Sequence, residues 1–137
     1  MKKLVLLVLF EIPIMLFCQA TNENTVEVLG NTFSVGDTLI FTAGSMPNGE
    51  FMSAVYVNTL LAPATYSLNS DALPHLPSQF INYKFIIEKI KIIKSKDGLN
   101  STTVLVISHK KSQVWVNVVT AITKKEILFK NSITNEK

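Results

Sequence analysis

Apolar residues recur along this chain in short runs, each closed by a turn signal, and beyond the N-terminus no stretch sustains a helical period. After a polar lead, Thr21–Thr25, the pattern predicts a strand over Thr25–Leu29, stopped by Gly30-Asn31, and another over Thr38–Ala43. Gly44-Ser45-Met46-Pro47-Asn48-Gly49 follows and reads as a tight turn, because Pro presets φ while Asn and Gly accept left-handed backbone. Phe51–Asn58 alternates, with Phe51, Val55 and Val57 on one face and Met52, Ala54 and Tyr56 on the other. Thr59–Asn82, carrying Pro63, Pro74 and Pro77, is irregular, with a short helical turn expected near Ser70–Leu73.

The second half is more regular. Tyr83–Lys94 reads as one long strand whose phase slips: Phe85 and Ile87 lie on one side, Ile90 and Ile92 on the other. A bulge near Glu88-Lys89 accounts for this, since one extra residue reverses the facing of everything after it. Asp97-Gly98 marks a hairpin lengthened by Leu99–Ser101, after which Thr102–His109 returns. Lys110–Gln113 turns, Val114–Val119 runs back, Thr120–Lys125 is expected to form one helical turn, and Ile127–Lys130 makes a final strand before a polar tail, Asn131–Lys137. These elements predict one all-β domain over residues 21–137, an antiparallel sandwich or small barrel of about six or seven strands with at most one or two short helical turns.

The N-terminal MKKLVLLVLFEIPIMLFCQA has the parts of a secretory signal: Lys2 and Lys3, an apolar run Leu4–Phe10, and Cys18-Gln19-Ala20 for a cut after Ala20. Glu11 and Pro13 interrupt the apolar run, which argues against a retained membrane span. Lipid attachment at Cys18 is disfavoured because the preceding residue is Phe17, where a small residue belongs. Export to the periplasm or cell surface of a bacterium is the expectation. Cys18 is the single cysteine and departs with the leader, so residues 21–137 have neither a disulfide nor a thiolate metal site.

Charge narrows the function classes a little. The net charge is +3 and every cation is Lys, with no Arg. Nucleic-acid recognition leans on Arg for bidentate contacts, so a nucleic-acid partner is not expected. Lys84, Lys89, Lys91, Lys94 and Lys96 read as a solubilising set along a strand. No ligand spacing suggests a metal, and no cofactor is expected.

Val35-Gly36-Asp37-Thr38-Leu39 resembles the opening of a LysM peptidoglycan-binding module, which implies an amphipathic helix directly after the motif. Here Ile40-Phe41-Thr42 favours strand, and Gly44, Pro47 and Gly49 exclude a stable helix. The motif also reads without the family: Gly36 turns the chain after Phe33-Ser34-Val35, and Asp37 accepts from backbone N–H groups ahead of it. The wider pattern of Gly36–Leu39, Gly44–Phe51 and Val118–Ile127 is similar to small exported β domains of unassigned function in gut-type bacteria, which implies a fold rather than an activity.

Candidate chemistry is sparse. His75 lies in the irregular segment and is the histidine of interest for a small hydrolase; His109 reads as a solvated hairpin residue. No G-x-S-x-G elbow accompanies them, and Glu88 and Glu126 become paired carboxylates only if the fold joins them, so an enzyme is not expected. Binding is the stronger expectation. If Val114, Val116 and Val118 face the core, Trp115 and Asn117 share the opposite face, a pairing suited to a sugar ring or a protein partner. The competing expectation buries Trp115 in a second apolar layer under the 59–82 segment. Tyr66, Phe80 and Tyr83 offer further aromatic surface, and Trp115, Asn117, Tyr66 and His75 are the candidate ligand-binding residues.

Overall fold

The structure is a computed structural model, and it describes residues 20–57, 73–94 and 98–130. The expected leader up to residue 19, residues 70–72 of the helical turn expected near Ser70–Leu73, and the polar tail fall outside those residues, as does Tyr66.

Eleven strands are present among the described residues, more than the sequence pattern predicts but of the predicted class. β1 (Ala20–Glu23), β5 (Phe51–Val57), β6 (His75–Leu76), β8 (Lys89–Lys94), β9 (Ser101–His109) and β10 (Ser112–Asn117) form one antiparallel sheet in the order β1-β8-β9-β10-β5-β6. β4 (Thr38–Phe41), β7 (Lys84–Ile86) and β11 (Ile127–Lys130) form a second, in the order β11-β4-β7. β2 (Thr25–Val28) and β3 (Asn31–Ser34) make a separate hairpin. The arrangement is an open sandwich rather than a closed barrel.

Both sheets and the hairpin contribute to one core. Leu39 and Phe41 of β4, Phe85 of β7, Ile127 of β11 and Phe33 of β3 pack with Phe51, Ile90, Leu105, Ile107, Val114 and Val116 of the large sheet. Phe41 sits at its centre, 4.8 Å from Phe51 and 5.6 Å from Phe85 between ring centroids, in the tilted and edge-on geometries that aromatic quadrupoles favour.

The phase slip between Phe85 and Ile90 proves to be a change of sheet. The chain leaves the small sheet after Ile86 and joins the large one at Lys89. Ile87 stays fully buried between them, held by bonds from its N–H to Asp37 O and from Gly36 N–H to its own carbonyl. Gly36 has φ of 96°, and Asp37 Oδ2 accepts from Ser34 N–H at 2.8 Å, so the Gly-Asp pair shapes a turn. Thr38–Phe41 continues as strand, not helix.

A second slip was not visible in the sequence. Alternation groups Phe51 with Val55 and Val57, yet Phe51 faces the inter-sheet core together with Ala54, while Val55 and Val57 face outward. The register against β6 also shifts between Phe51 and Val55. Consecutive N–H groups of a regular strand point in opposite directions, but here both Met52 and Ser53 donate to one carboxylate, that of Glu126. A β-bulge at Met52-Ser53 therefore reverses the facing of the rest of β5.

A six-residue helix, α1 (Val118–Thr123), begins two residues earlier than the pattern predicts. Its cap is Asn117, whose Oδ1 accepts from Thr120 N–H at 3.1 Å. No helix among the described residues is long and apolar enough to cross a membrane.

Candidate functional site

Of the four candidate ligand-binding residues, Trp115, Asn117 and His75 lie among the described residues. Val114 and Val116 do face the core, and Trp115 does point away from it, but Trp115 is fully buried all the same. It lies in a second apolar layer with Val55, Val57, Ile93, Val104 and Val106, and Leu73 packs against that layer. Lys91 Nζ stands 5.3 Å from its ring centroid. Burial, and then the like charge of Lys89, lowers the Lys91 pKa. Trp115 is thus a packing residue and not an exposed stacking platform.

Asn117 is committed to the α1 cap and is not placed beside an exposed indole. His75 is half-buried on the edge strand β6, with Nδ1 donating to Phe51 O at 3.0 Å, so its ring pins that strand to β5. His109 does end β9 beside the Lys110-Lys111 turn, but it is half-buried rather than fully solvated and meets Phe80 edge-on, 4.7 Å between centroids.

The two glutamates have separate partners. Exposed Glu88 accepts at Oε2 from Ser108 Oγ–H at 2.7 Å. Glu126, fully buried, sits in a cradle of donors: Oε1 accepts from Ser45 N–H (2.9 Å), Ser45 Oγ–H and Met52 N–H (2.8 Å), and Oε2 from Ser53 N–H (2.9 Å) and Ser53 Oγ–H. Burial pushes its pKa up, but the bonds from Ser45, Ser53 and Met52 outweigh this and hold the carboxyl below its ordinary value. A carboxylate has about four lone-pair directions, and five donors fill them. No acceptor site remains for a substrate proton, so Glu126 acts as a structural anion and not as a general base.

The cradle depends on local sequence. Pro47-Asn48 occupies the middle of a turn closed by Gly49 N–H to Met46 O (2.9 Å), which folds Ser45 back toward β5. Gly44 runs against Gly49 and Glu50 so closely that a Cβ there would lie 1.9 Å from Gly49 O. Among the described residues no group of three His, Cys, Asp or Glu is placed to hold a metal.

An open cavity lies elsewhere, where β5 ends and β10 begins. A cavity of about 470 Å³ is lined there by Tyr56, Val57, Leu73, Pro74, Lys111, Ser112 and Gln113. Pairing of Val57 with Gln113 and of Tyr56 with Val114 sets the strand ends side by side, while Tyr56 N–H to Pro74 O (2.8 Å) holds the third wall against β5. The two-residue turn Lys110-Lys111, with Lys110 at φ of 56°, presents Lys111 at the rim. Burial raises the Tyr56 pKa and keeps its phenol protonated. Trp115 Nε1–H donates to Gln113 Oε1 at 3.3 Å, which takes one lone pair of that oxygen and leaves the NH₂ to donate.

Sequence reasoning did not single out Tyr56, Ser112 or Gln113. Alternation gives only their facing, and nothing in a strand end or a Lys-Lys turn reveals that Pro74 closes beside it. Compared with protein-family models, with curated proteins and with solved structures, the chain matches none.

Proposed function

We propose that the protein is an exported, non-enzymatic binding module of the bacterial envelope, taking its ligand in the cavity bounded by Tyr56, Leu73, Pro74, Lys111 and Gln113. The observation that carries this reading is the composition of that cavity: apolar walls beside a phenol, an ammonium, a hydroxyl and an amide. Such a mixture orients a small ligand. Its volume lies within the roughly 300–1,000 Å³ of small-ligand sites. The lining offers no nucleophile hydrogen-bonded to a base, which favours binding over turnover.

Export is supported by the leader. A cut after Ala20 removes the pair of Ala20 with Ile93 and leaves Thr21, Asn22 and Glu23 in register with Ile92, Lys91 and Ile90. Cell fractionation with intact-mass measurement tests this: a periplasmic or surface form beginning at Thr21 is expected, and an unprocessed cytosolic chain overturns it. For the site, the full chain is screened by amide NMR against soluble mono- and disaccharides and small organic acids. Shifts clustered at Tyr56, Ser112 and Gln113, abolished by Tyr56→Ala, are expected; binding only at residues remote from these, or by none of the compounds, counts against the cavity.

A further inference from the structure

The charge of the cavity is one-sided. Lys111 brings an ammonium with three N–H donors, Ser112 a hydroxyl, and Tyr56 a protonated phenol. Gln113 adds an amide whose Oε1 already receives the indole N–H of Trp115, so one of its two lone pairs is taken while its NH₂ stays available to donate. Among the described lining residues there is no Asp or Glu, so the one formal charge is positive. An ammonium with no carboxylate beside it among these lining residues, flanked by hydroxyl and amide donors, suits a ligand that carries lone pairs and negative charge, and charge-assisted hydrogen bonds are about twice as strong as neutral ones.

The opposite wall sets the rest of the ligand. Leu73, Pro74 and the ring of Tyr56 are apolar and give little to a fully hydrated inorganic ion. A pyranose ring bearing a carboxylate meets both requirements, with its C–H face on Pro74 and Tyr56 and its acid group toward Lys111. From this geometry we infer that the ligand is an acidic sugar, a uronic acid at the end of or within a glycan, bound through its carboxylate to Lys111 and through ring oxygens to Ser112 and the Gln113 amide. The inference rests on the cavity being the binding site, and goes further by fixing the chemical class of its ligand.

Trp115 acquires a second part in this arrangement. Buried in the outer layer, it is not among the lining residues, yet its N–H holds the Gln113 amide oxygen and so restrains that side chain at the cavity. It is a positioning residue for specificity.

The test titrates the full chain with sodium D-glucuronate and, separately, with D-glucose at matched ionic strength, following amide shifts. These two probes share a ring and differ in the carboxylate. Glucuronate is expected to perturb Ser112 and Gln113 with at least tenfold lower Kd than glucose, and Lys111→Gln to erase that preference while Lys111→Arg retains most of it. Trp115→Phe, which keeps an aromatic ring in the layer but removes the N–H, is expected to narrow the preference. If both sugars bind equally at the cavity, the acidic-sugar inference is overturned while the binding reading stands. If neither perturbs these residues the inference also falls, and the wider compound screen then decides whether the cavity binds anything.

Discussion

Ser53 and Glu126 stand 73 residues apart in the chain and meet through two hydrogen bonds, Ser53 N–H and Ser53 Oγ–H both donating to Glu126 Oε2. The pairing explains the bulge in β5, and through it the division of the large sheet into two apolar faces. Without a carboxylate to receive the adjacent N–H groups of Met52 and Ser53, a bulge would leave buried donors unpaired. Ser53→Ala is expected to cost about 1–3 kcal/mol, the usual effect of removing one partner of a buried polar pair. Glu126→Gln is expected to cost more, about 3 kcal/mol or above, because an NH₂ then faces backbone N–H groups that cannot rotate away. Urea unfolding of both variants measures this; equal stability of Glu126→Gln and the parent chain would remove the cradle from the account.

The same carboxylate gives the fold a pH dependence of known sign. Its folded pKa lies below the ordinary 4.5, so the unfolded chain takes up this proton first as pH falls. The contribution is complete above the ordinary value, diminishes as pH drops below it, and is lost once pH has passed the depressed folded value. Urea midpoints of the parent chain should fall below about pH 4.5. In Glu126→Gln this part of the fall should be missing, and identical pH slopes in the two proteins would contradict it.

Trp115, the single tryptophan, reports its own environment. Fully buried among Val55, Val104 and Val106, it should emit in the blue part of its range and resist quenching by iodide until the chain unfolds. Trp115→Ala should cost about 3–5 kcal/mol by opening a large cavity in this layer. Red-shifted, readily quenched emission from the folded protein would place the indole at the surface instead.

Two turns make opposite predictions. Leu29 and Gly30 join β2 to β3 with φ of 50° and 76°, the signature of a type I′ turn, where leucine is strained and Asn-Gly is favoured. Leu29 is also 61% exposed, so Leu29→Asn should stabilise the protein by about 1 kcal/mol with no packing lost. Gly44→Ala should destabilise it, because the new methyl would meet the backbone oxygens of Gly49 and Glu50 at 1.9 and 2.4 Å. Paired thermal melts read both signs, and a rise for Gly44→Ala or a fall for Leu29→Asn would contradict the turn geometry.

Legibility varied with how local the cause was. The Pro-Asn-Gly turn and the Gly36-Asp37 turn were readable, because each follows from residues within a few positions of one another; the slip after Ile87 showed in the pattern, but in place of the expected bulge it is a change of sheet. The early start of α1 was missed because Val118 and Val119 continue a β-branched run, and only the Asn117 cap overrides that propensity. The bulge in β5 was missed for a different reason: Met52 and Ser53 carry no sign of it, and its cause, Glu126, arrives from the far end of the chain. The binding residues proposed from the sequence suffered likewise. Asn117 and Trp115 share a face in the pattern, but capping claims one and a second apolar layer the other.

By itself the sequence determined the all-β class, the main turns and the division of β10 into a valine face and a tryptophan face, since these depend on backbone φ preferences and a side-chain period of two. Only the tertiary structure decided which faces are covered, where strands change sheet or facing, and which polar groups converge on a cavity. Those outcomes depend on partners brought together across long separations, and a one-dimensional pattern carries the facing of a side chain but not the identity of what it meets.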